Sequence, residues 1–266
     1  IDLGNNDFGI DYNTTFSISA WVNGATTGHK CIISKRKNSF NYQGWSLRLQ
    51  NDASKAGKAW FIMDHSNGAG STVQSTTNLE LNTWYHVVVT HNGGGAATDL
   101  TMYINGVDDS GTRGGATTGT IANAFDTSIG SREGAGQLFD GNISNVAIWN
   151  SELSAANVLT IYNSGRPGDL TSLSPIAWWR LGENAFCPDY TASPNVWTIP
   201  DQIGSNDGTS AGNPDLVGEA PQSFANGLSV SMDIDDRIGE SGFSDENALS
   251  YNMGYDARKA DVAPTP

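Results

Sequence analysis

Only 14 of the 266 residues are Lys or Arg, against 28 Asp or Glu, which leaves a formal net charge of −14. A chain so short of positive charge has no general affinity for nucleic acid or for an anionic membrane, because either would be repelled unless a dedicated basic face were built. Cysteine is nearly absent. Cys31 and Cys187 are too few for a disulfide framework and too far apart for metal-ligand spacing, so one bridge and two buried free thiols both stay open. No apolar run approaches the roughly 20 residues that a membrane-crossing helix needs, and no charged-then-apolar leader opens the chain, so a soluble protein is expected. The opening Ile1-Asp2-Leu3-Gly4 reads as the end of a strand already under way, which leads us to expect a segment upstream.

Catalytic signatures are also lacking. Glycoside hydrolysis on a β-sandwich needs carboxylates that share one face of a strand. Glu80, Glu133, Glu152 and Glu183 stand apart, and none alternates with a second acid along a predicted strand. The run Asp233-Ile234-Asp235-Asp236 reads as solvated charge. There is no Gly-x-Ser-x-Gly elbow, phosphate-cradling glycine loop or His-Glu-x-x-His pair, and His29, His65, His86 and His91 are scattered. A non-catalytic protein follows.

What is present is glycine, at 31 residues, with much Thr, Ser and Asn, and 8 Trp. Such a composition describes short strands joined by polar turns. Between residues 16 and 149, alternating apolar and polar positions recur, each run closed by a Gly, Asn or Asp cluster. The runs are Phe16–Val22, Trp45–Leu49, Trp60–Met63, Trp84–Val89, Leu100–Ile104, Thr127–Gly130 and Ile143–Trp149. In the first, Phe16, Ile18, Ala20 and Val22 share one face by the period-two rule. Asn105-Gly106 supplies a tight hairpin turn, so a strand returns through Val107. One helix is predicted after Ser154, which caps it; Val158, Ile161 and Tyr162 lie along its apolar side, and Gly165 and Pro167 stop it. Strands at this spacing make an all-β, two-sheet antiparallel jelly-roll sandwich with one short helix.

The chain divides into a jelly-roll domain over 1–168, a Trp-rich strand and loop segment over 169–218 that wraps back on the sandwich, and an acidic extended arm over 219–266. The middle segment opens on Ile176-Ala177-Trp178-Trp179-Arg180-Leu181 and continues with some forty residues that offer few places to start a strand. In the arm, Asn226, Leu228, Ser229, Met232, Asp235 and Arg237 recur 21 positions later as Asn247, Leu249, Ser250, Met253, Asp256 and Arg258. A repeat this short cannot bury a core by itself, so each copy needs a host surface. Leu228, Met232, Arg237, Leu249, Met253 and Arg258 are its candidate assembly contacts, on the same sandwich or a neighbouring subunit.

Phe139-Asp140-Gly141-Asn142-Ile143-Ser144-Asn145-Val146-Ala147-Ile148-Trp149, followed by Leu153-Ser154 and Ile161-Tyr162, resembles the closing strand and short helix of laminin-G-like and pentraxin domains. Phe16–Val22, Trp84–Val87 and Tyr103-Ile104-Asn105-Gly106 match in the same order, so the resemblance covers about residues 1–165. It implies a concanavalin A-like jelly roll. Trp178-Trp179-Arg180-Leu181-Gly182-Glu183, with Asp201 and Asn206-Asp207-Gly208-Thr209, resembles the opening strand of such domains, displaced to follow the domain it normally begins. The whole layout is similar to that of structural proteins of marine bacteriophages.

The resemblance implies two kinds of site. Pentraxins hold calcium between neighbouring loops, because this hard cation wants six to eight oxygens. The corresponding loop here offers Glu133 and Gln137, but also Arg132, and its partner Lys35-Arg36-Lys37-Asn38 is cationic. A pentraxin-type double site is therefore not expected, while a single calcium involving Asp140 or Asp99 stays open as the one cofactor considered. Glycan binding needs aromatic faces and planar polar groups. Asn38, Tyr42, Trp45 and Asp64 are the candidates, with Trp21, Trp60 and Asn41 beside them. Seven of the 14 basic residues lie between Lys30 and Lys58, either as a patch for an acidic ligand or as the docking surface of a neighbour's acidic tail. The reading that follows is an extracellular or virion-surface structural or decoration protein, homo-oligomeric or bound to other surface proteins through its arm. The alternative is a carbohydrate-binding adhesion module for cell-surface polysaccharide.

Overall fold

The protein is described by a computed structural model that covers residues 1–36, 42–50, 52–65, 70–133, 136–182, 185–189 and 195–211. The strands are β1 (Thr15–Gly24), β2 (Lys30–Arg36), β3 (Gly44–Leu49), β4 (Gly57–Asp64), β5 (Gly70–Leu79), β6 (Trp84–Asn92), β7 (Leu100–Ile104), β8 (Val107–Asp108), β9 (Ser110–Gly114), β10 (Ser128–Ile129) and β11 (Gly141–Trp149). Helix α1 (Ala155–Tyr162) follows, and then β12 (Ala177–Trp179), β13 (Val196–Ile199) and β14 (Gly208–Ala211). Two six-stranded antiparallel sheets face each other, one ordered β12-β11-β1-β6-β7-β8 and the other β10-β2-β3-β4-β5-β9. This is the jelly-roll sandwich that the alternation predicts.

The core lies between the sheets. Phe16, Ile18, Ala20 and Val22 of β1 all enter it, and so do Trp45, Leu47 and Leu49 of β3 and Phe61 and Met63 of β4. A smaller cluster on the outer side of the first sheet joins Val88, Trp149 and Trp178 to Val158 and Ile161 of α1. The helix begins where Ser154 Oγ accepts the backbone N–H of Asn157 at 3.2 Å. It ends one turn earlier than Gly165, because Asn163 adopts the left-handed cap with φ 48°. Asn tolerates that conformation through its short polar side chain.

β12 of the late segment extends the first sheet. β12 pairs antiparallel with β11, Trp178 standing opposite Ala147 and Trp179 opposite Val146. β13 and β14 form a hairpin where the sequence offers few strand starts, and Asp2 bridges Thr209. Four-residue strands with Trp197 and Ile199 as their buried apolar side chains are too short for alternation to register. The arm residues Leu228, Met232, Arg237, Leu249, Met253 and Arg258 lie outside the described residues. Cys31 and Cys187 are both free and buried. No helix among the described residues is long and apolar enough to cross a membrane.

Candidate functional site

In the second sheet, alternation that sends Trp45, Leu47, Phe61 and Met63 inward sends their neighbours outward. The register aligns these outward residues in three rows across β2, β3, β4 and β5. Arg36, Gly44, Asp64 and Gly70 form the first, Ser34, Ser46, Ile62 and Thr72 the second, and Cys31, Arg48, Trp60 and Gln74 the third. Two arginine-bearing rows therefore flank a row made of Ser34, Ser46, Thr72 and the apolar Ile62.

Arg36 reaches over Gly44 to pair with Asp64. Glycine is required there: its φ is +122°, and a Cβ would stand 1.9 Å from the carbonyl oxygen of Lys35. The Arg36 guanidinium also lies 4.9 Å from the centre of the Tyr42 ring. Arg48 stands directly opposite Trp60, with its guanidinium 4.1 Å from the indole centre, and donates to Gln137 Oε1 at 3.3 Å. Arg132 joins them from the turn that follows β10.

These cations are largely withdrawn from solvent, Arg36 being 5% exposed, Arg48 6% and Arg132 8%. Burial, reinforced by repulsion from Arg36 and Arg132, holds the Arg48 guanidinium down to about 10. Burial and then Arg36 lower Arg132 in the same sense. The nearby His29 is lowered by burial first and by Arg48 and Arg132 next. Three guanidiniums close enough to repel one another thus share Asp64, at Arg36, and Glu133, next to Arg132. Among the described residues the Nε–H groups of Arg36 and Arg48, the Trp60 indole N–H and Asp64 Oδ1 are buried with no hydrogen-bond partner.

The structure redistributes the glycan candidates. Tyr42 is 43% exposed and lies against the Arg36 guanidinium. Trp45 does not: it is 1% exposed in the core, so neither ring face is open to a sugar. Its alternation with Leu47 and Leu49 put it in the inward phase. Asp64 is equally buried and serves Arg36 instead of a ligand hydroxyl. Trp21 stacks on Tyr162 of α1 at 5.8 Å and on His86 at 4.9 Å, away from this face. Asn38 and Asn41 lie outside the described residues. Trp60 is half-buried and shares the outer face with Arg48.

The proposed calcium donors do not fit that ion. Gln137 Oε1 accepts from Arg48, and the Asp140 carboxylate faces Lys30 at 3.9 Å. Glu133 follows Arg132 directly and interacts with its charge. A hard cation that wants six to eight oxygens gains little from Gln137 and Glu133 beside Arg48 and Arg132, or from Asp140 beside Lys30. No group of three or more His, Cys, Asp or Glu able to hold a metal occurs among the described residues. What this face can do chemically is hold a polar ring against Trp60 and present guanidinium donors to oxygen acceptors. The three arginines escaped sequence reading as a set because they come from β2, β3 and a loop some eighty residues later. The excess of basic residues between Lys30 and Lys58 signals Arg36 and Arg48, and the pentraxin-like pairing of loops sets Arg132 beside Arg36.

Residues 1–159 match the laminin-G-type family described as the concanavalin A-like lectin/glucanases superfamily. No curated protein matches the chain. Among solved structures, a proposed carbohydrate-binding protein from Bacteroides ovatus is similar with a TM-score of 0.52 and 16% identity, over 76% of this chain and 53% of that one. The chain thus spans about half the length of that protein. The heptameric SAP-like pentraxin of Limulus polyphemus has a TM-score of 0.40 and 15% identity, over 56% of this chain and 70% of that one. The CBM40 module of the Ruminococcus gnavus IT-sialidase, bound to α2,3 sialyllactose, has a TM-score of 0.43 and 13% identity, over 56% and 83%. At these identities the likeness is one of fold.

Proposed function

The chain belongs to the concanavalin A-like lectin/glucanases superfamily, and from that premise we propose that it is a non-catalytic module that binds carbohydrate on the outer face of its second sheet. The observation that carries the reading is the Arg48–Trp60 pair, a guanidinium 4.1 Å over an indole on that face. Aromatic surface packs against the C–H face of a sugar ring, and adjacent guanidiniums donate to its oxygens. The non-catalytic part is supported by the carboxylates. Asp64 is committed to Arg36, and Glu80 pairs with Lys55 at the surface, so neither stands ready beside a second acid to flank a glycosidic bond. Carbohydrate binding is also the role proposed for the Bacteroides ovatus protein.

A glycan array probed with and without chelator tests the reading. Selective binding that survives chelation is expected, with Trp60→Ala weakening it at least tenfold while the circular dichroism spectrum is unchanged. An array without selective binding would overturn it.

The duplicated motif of the acidic arm supports a second, compatible role, that of an extracellular or virion-surface component assembled through residues 219–266. A chain ending at residue 218 should then elute as a monomer where the full chain elutes as a multimer. Identical elution of the two would remove the arm from assembly.

A further inference from the structure

We propose that the ligand of this face is an acidic saccharide whose carboxylate or sulfate group seats among Arg36, Arg48 and Arg132. The inference rests on the carbohydrate-binding reading and names the substrate class.

The geometry begins with the strand register. Arg36 stands opposite Gly44, and Arg48 lies four residues further along β3, so their Cα atoms are roughly 14 Å apart. After burial, repulsion from Arg36 and Arg132 lowers the Arg48 guanidinium, and repulsion from Arg36 lowers Arg132. Arg36 is held at Asp64 and Arg48 over Trp60 and against Gln137, so the two flank the central row, where Ser34 and Ser46 are 1% and 0% exposed. The small side chains of Ser34 and Ser46 leave room above β2 and β3, and Ile62 and Thr72 continue the row on β4 and β5.

Like charges withdrawn from water are costly unless compensated, and the cost rises as the local dielectric falls. Asp64 compensates Arg36. Among the described residues Arg48 donates to the neutral amide of Gln137 and lies over the face of Trp60, with Asp64 as a more distant carboxylate. Its Nε–H and that of Arg36 are donors already desolvated and without partners among the described residues. An oxyanion entering beside Arg36 and Arg48 would add negative charge and give their Nε–H groups acceptors. Arginine suits this role better than lysine, because its planar fork presents paired N–H groups to the paired oxygens of carboxylate or sulfate.

The rest of the face indicates what carries the oxyanion. Trp60 and Tyr42, the more open members of the site, border the arginines, so a ring bearing a charged substituent can pack on aromatic surface while its charge reaches inward. The protein is otherwise strongly acidic, with a net charge of −14. General attraction therefore does not draw an anionic polymer to it, and affinity must come from these few residues. That requirement makes single substitutions decisive.

Binding of the full-length chain to three glycan probes, measured by calorimetry, provides the test: a polyuronate oligomer, a sulfated galactan oligomer, and neutral cello-oligosaccharide. At least one acidic probe should bind ten or more times tighter than the neutral one, and binding should weaken several-fold between 50 and 500 mM NaCl, since screening shortens the reach of exposed parts of the site. Arg48→Gln should abolish the preference for acidic over neutral sugar, and Arg48→Lys should restore part of it. The preference between the two acidic probes identifies the oxyanion as carboxylate or sulfate.

Binding of neutral sugar alone would overturn this inference and leave the carbohydrate-binding reading standing. Absence of binding to every glycan would overturn both. Acidic binding that Arg48→Gln leaves intact would show that the oxyanion seats elsewhere. Inorganic sulfate binding without any acidic glycan, or acidic glycan binding only after residues 219–266 are removed, would also overturn it. The latter result would assign the cluster to the chain's own acidic arm.

Discussion

Trp178 donates its indole N–H to Asn145 Oδ1 at 3.1 Å, tying the strand after the helix to the strand before it. The contact depends on a local irregularity. β11 shifts register against β1 near Asn145, which takes φ 49° there. A bulge of this kind re-aims a side chain, and here it directs the Asn145 amide to Trp178.

Asn145→Ala should therefore destabilise the fold by about 2–4 kcal/mol, from a buried indole N–H left unsatisfied and from a left-handed backbone that alanine tolerates less well. Asn145→Gly relieves the backbone part alone and should recover about 1 kcal/mol of the loss. Urea denaturation followed by tryptophan fluorescence measures both. Equal stability of the alanine variant and the parent would show that the bulge and its hydrogen bond contribute nothing.

Trp179 points to the opposite side of the same strand. It is fully buried, meets Phe8 edge-on at 5.6 Å and donates to the carbonyl of Asn206 at 2.7 Å. One indole thus joins the first ten residues, β12 and the turn before β14. Trp179→Ala should cost about 3–5 kcal/mol and lower the thermal midpoint of the whole sandwich in one transition. Two separate transitions in the parent, with only the smaller one shifted by the substitution, would mean that the late segment folds on its own.

His86 predicts a pH dependence. It is buried beneath α1 between Trp21 and Tyr162, and its Nε2 faces Ser19 Oγ at 2.8 Å. Burial lowers it to about 3 from an ordinary 6.5. Below pH 6.5 the unfolded chain takes up a proton that the folded chain excludes, so unfolding is favoured as the pH falls. The contribution of His86 is intact above pH 6.5 and is lost toward pH 3, by about 1.4 kcal/mol per unit. At pH 4.5 the loss reaches about 3 kcal/mol. His86→Gln should flatten this slope in urea denaturation series at pH 7 and 4.5. A variant whose stability falls as steeply as the parent's would acquit His86.

The two readings of tryptophan on the second sheet show how far alternation carries. Trp45 shares its phase with Leu47 and Leu49, and its place in the core was legible from that spacing. The outward place of Trp60 was less so, because it neighbours Phe61, Ile62 and Met63 in a run that is apolar in both phases. β5 was also missed as a strand: in Gly-Ser-Thr-Val-Gln-Ser-Thr-Thr-Asn-Leu only Val73 and Leu79 are large and apolar. Its pairing with β4 holds it in place, and a pairing partner distant in sequence leaves no local trace.

By itself the sequence determined the class of fold, since period-two apolar runs closed by Gly and Asn turns leave a two-sheet sandwich as the way to bury them. It likewise determined the helix, through Ser154 and the spacing of Val158 and Ile161. Only the tertiary structure decided where the site lies. Arg36, Arg48 and Arg132 meet because β2 pairs with both β3 and β10, and the turn after β10 brings Arg132 to that side. Interactions of this kind are set by sheet register and not by spacing along the chain, so the resemblance alone could bring the loops of Arg36 and Arg132 together, and Arg48 joins them only once the strands are paired.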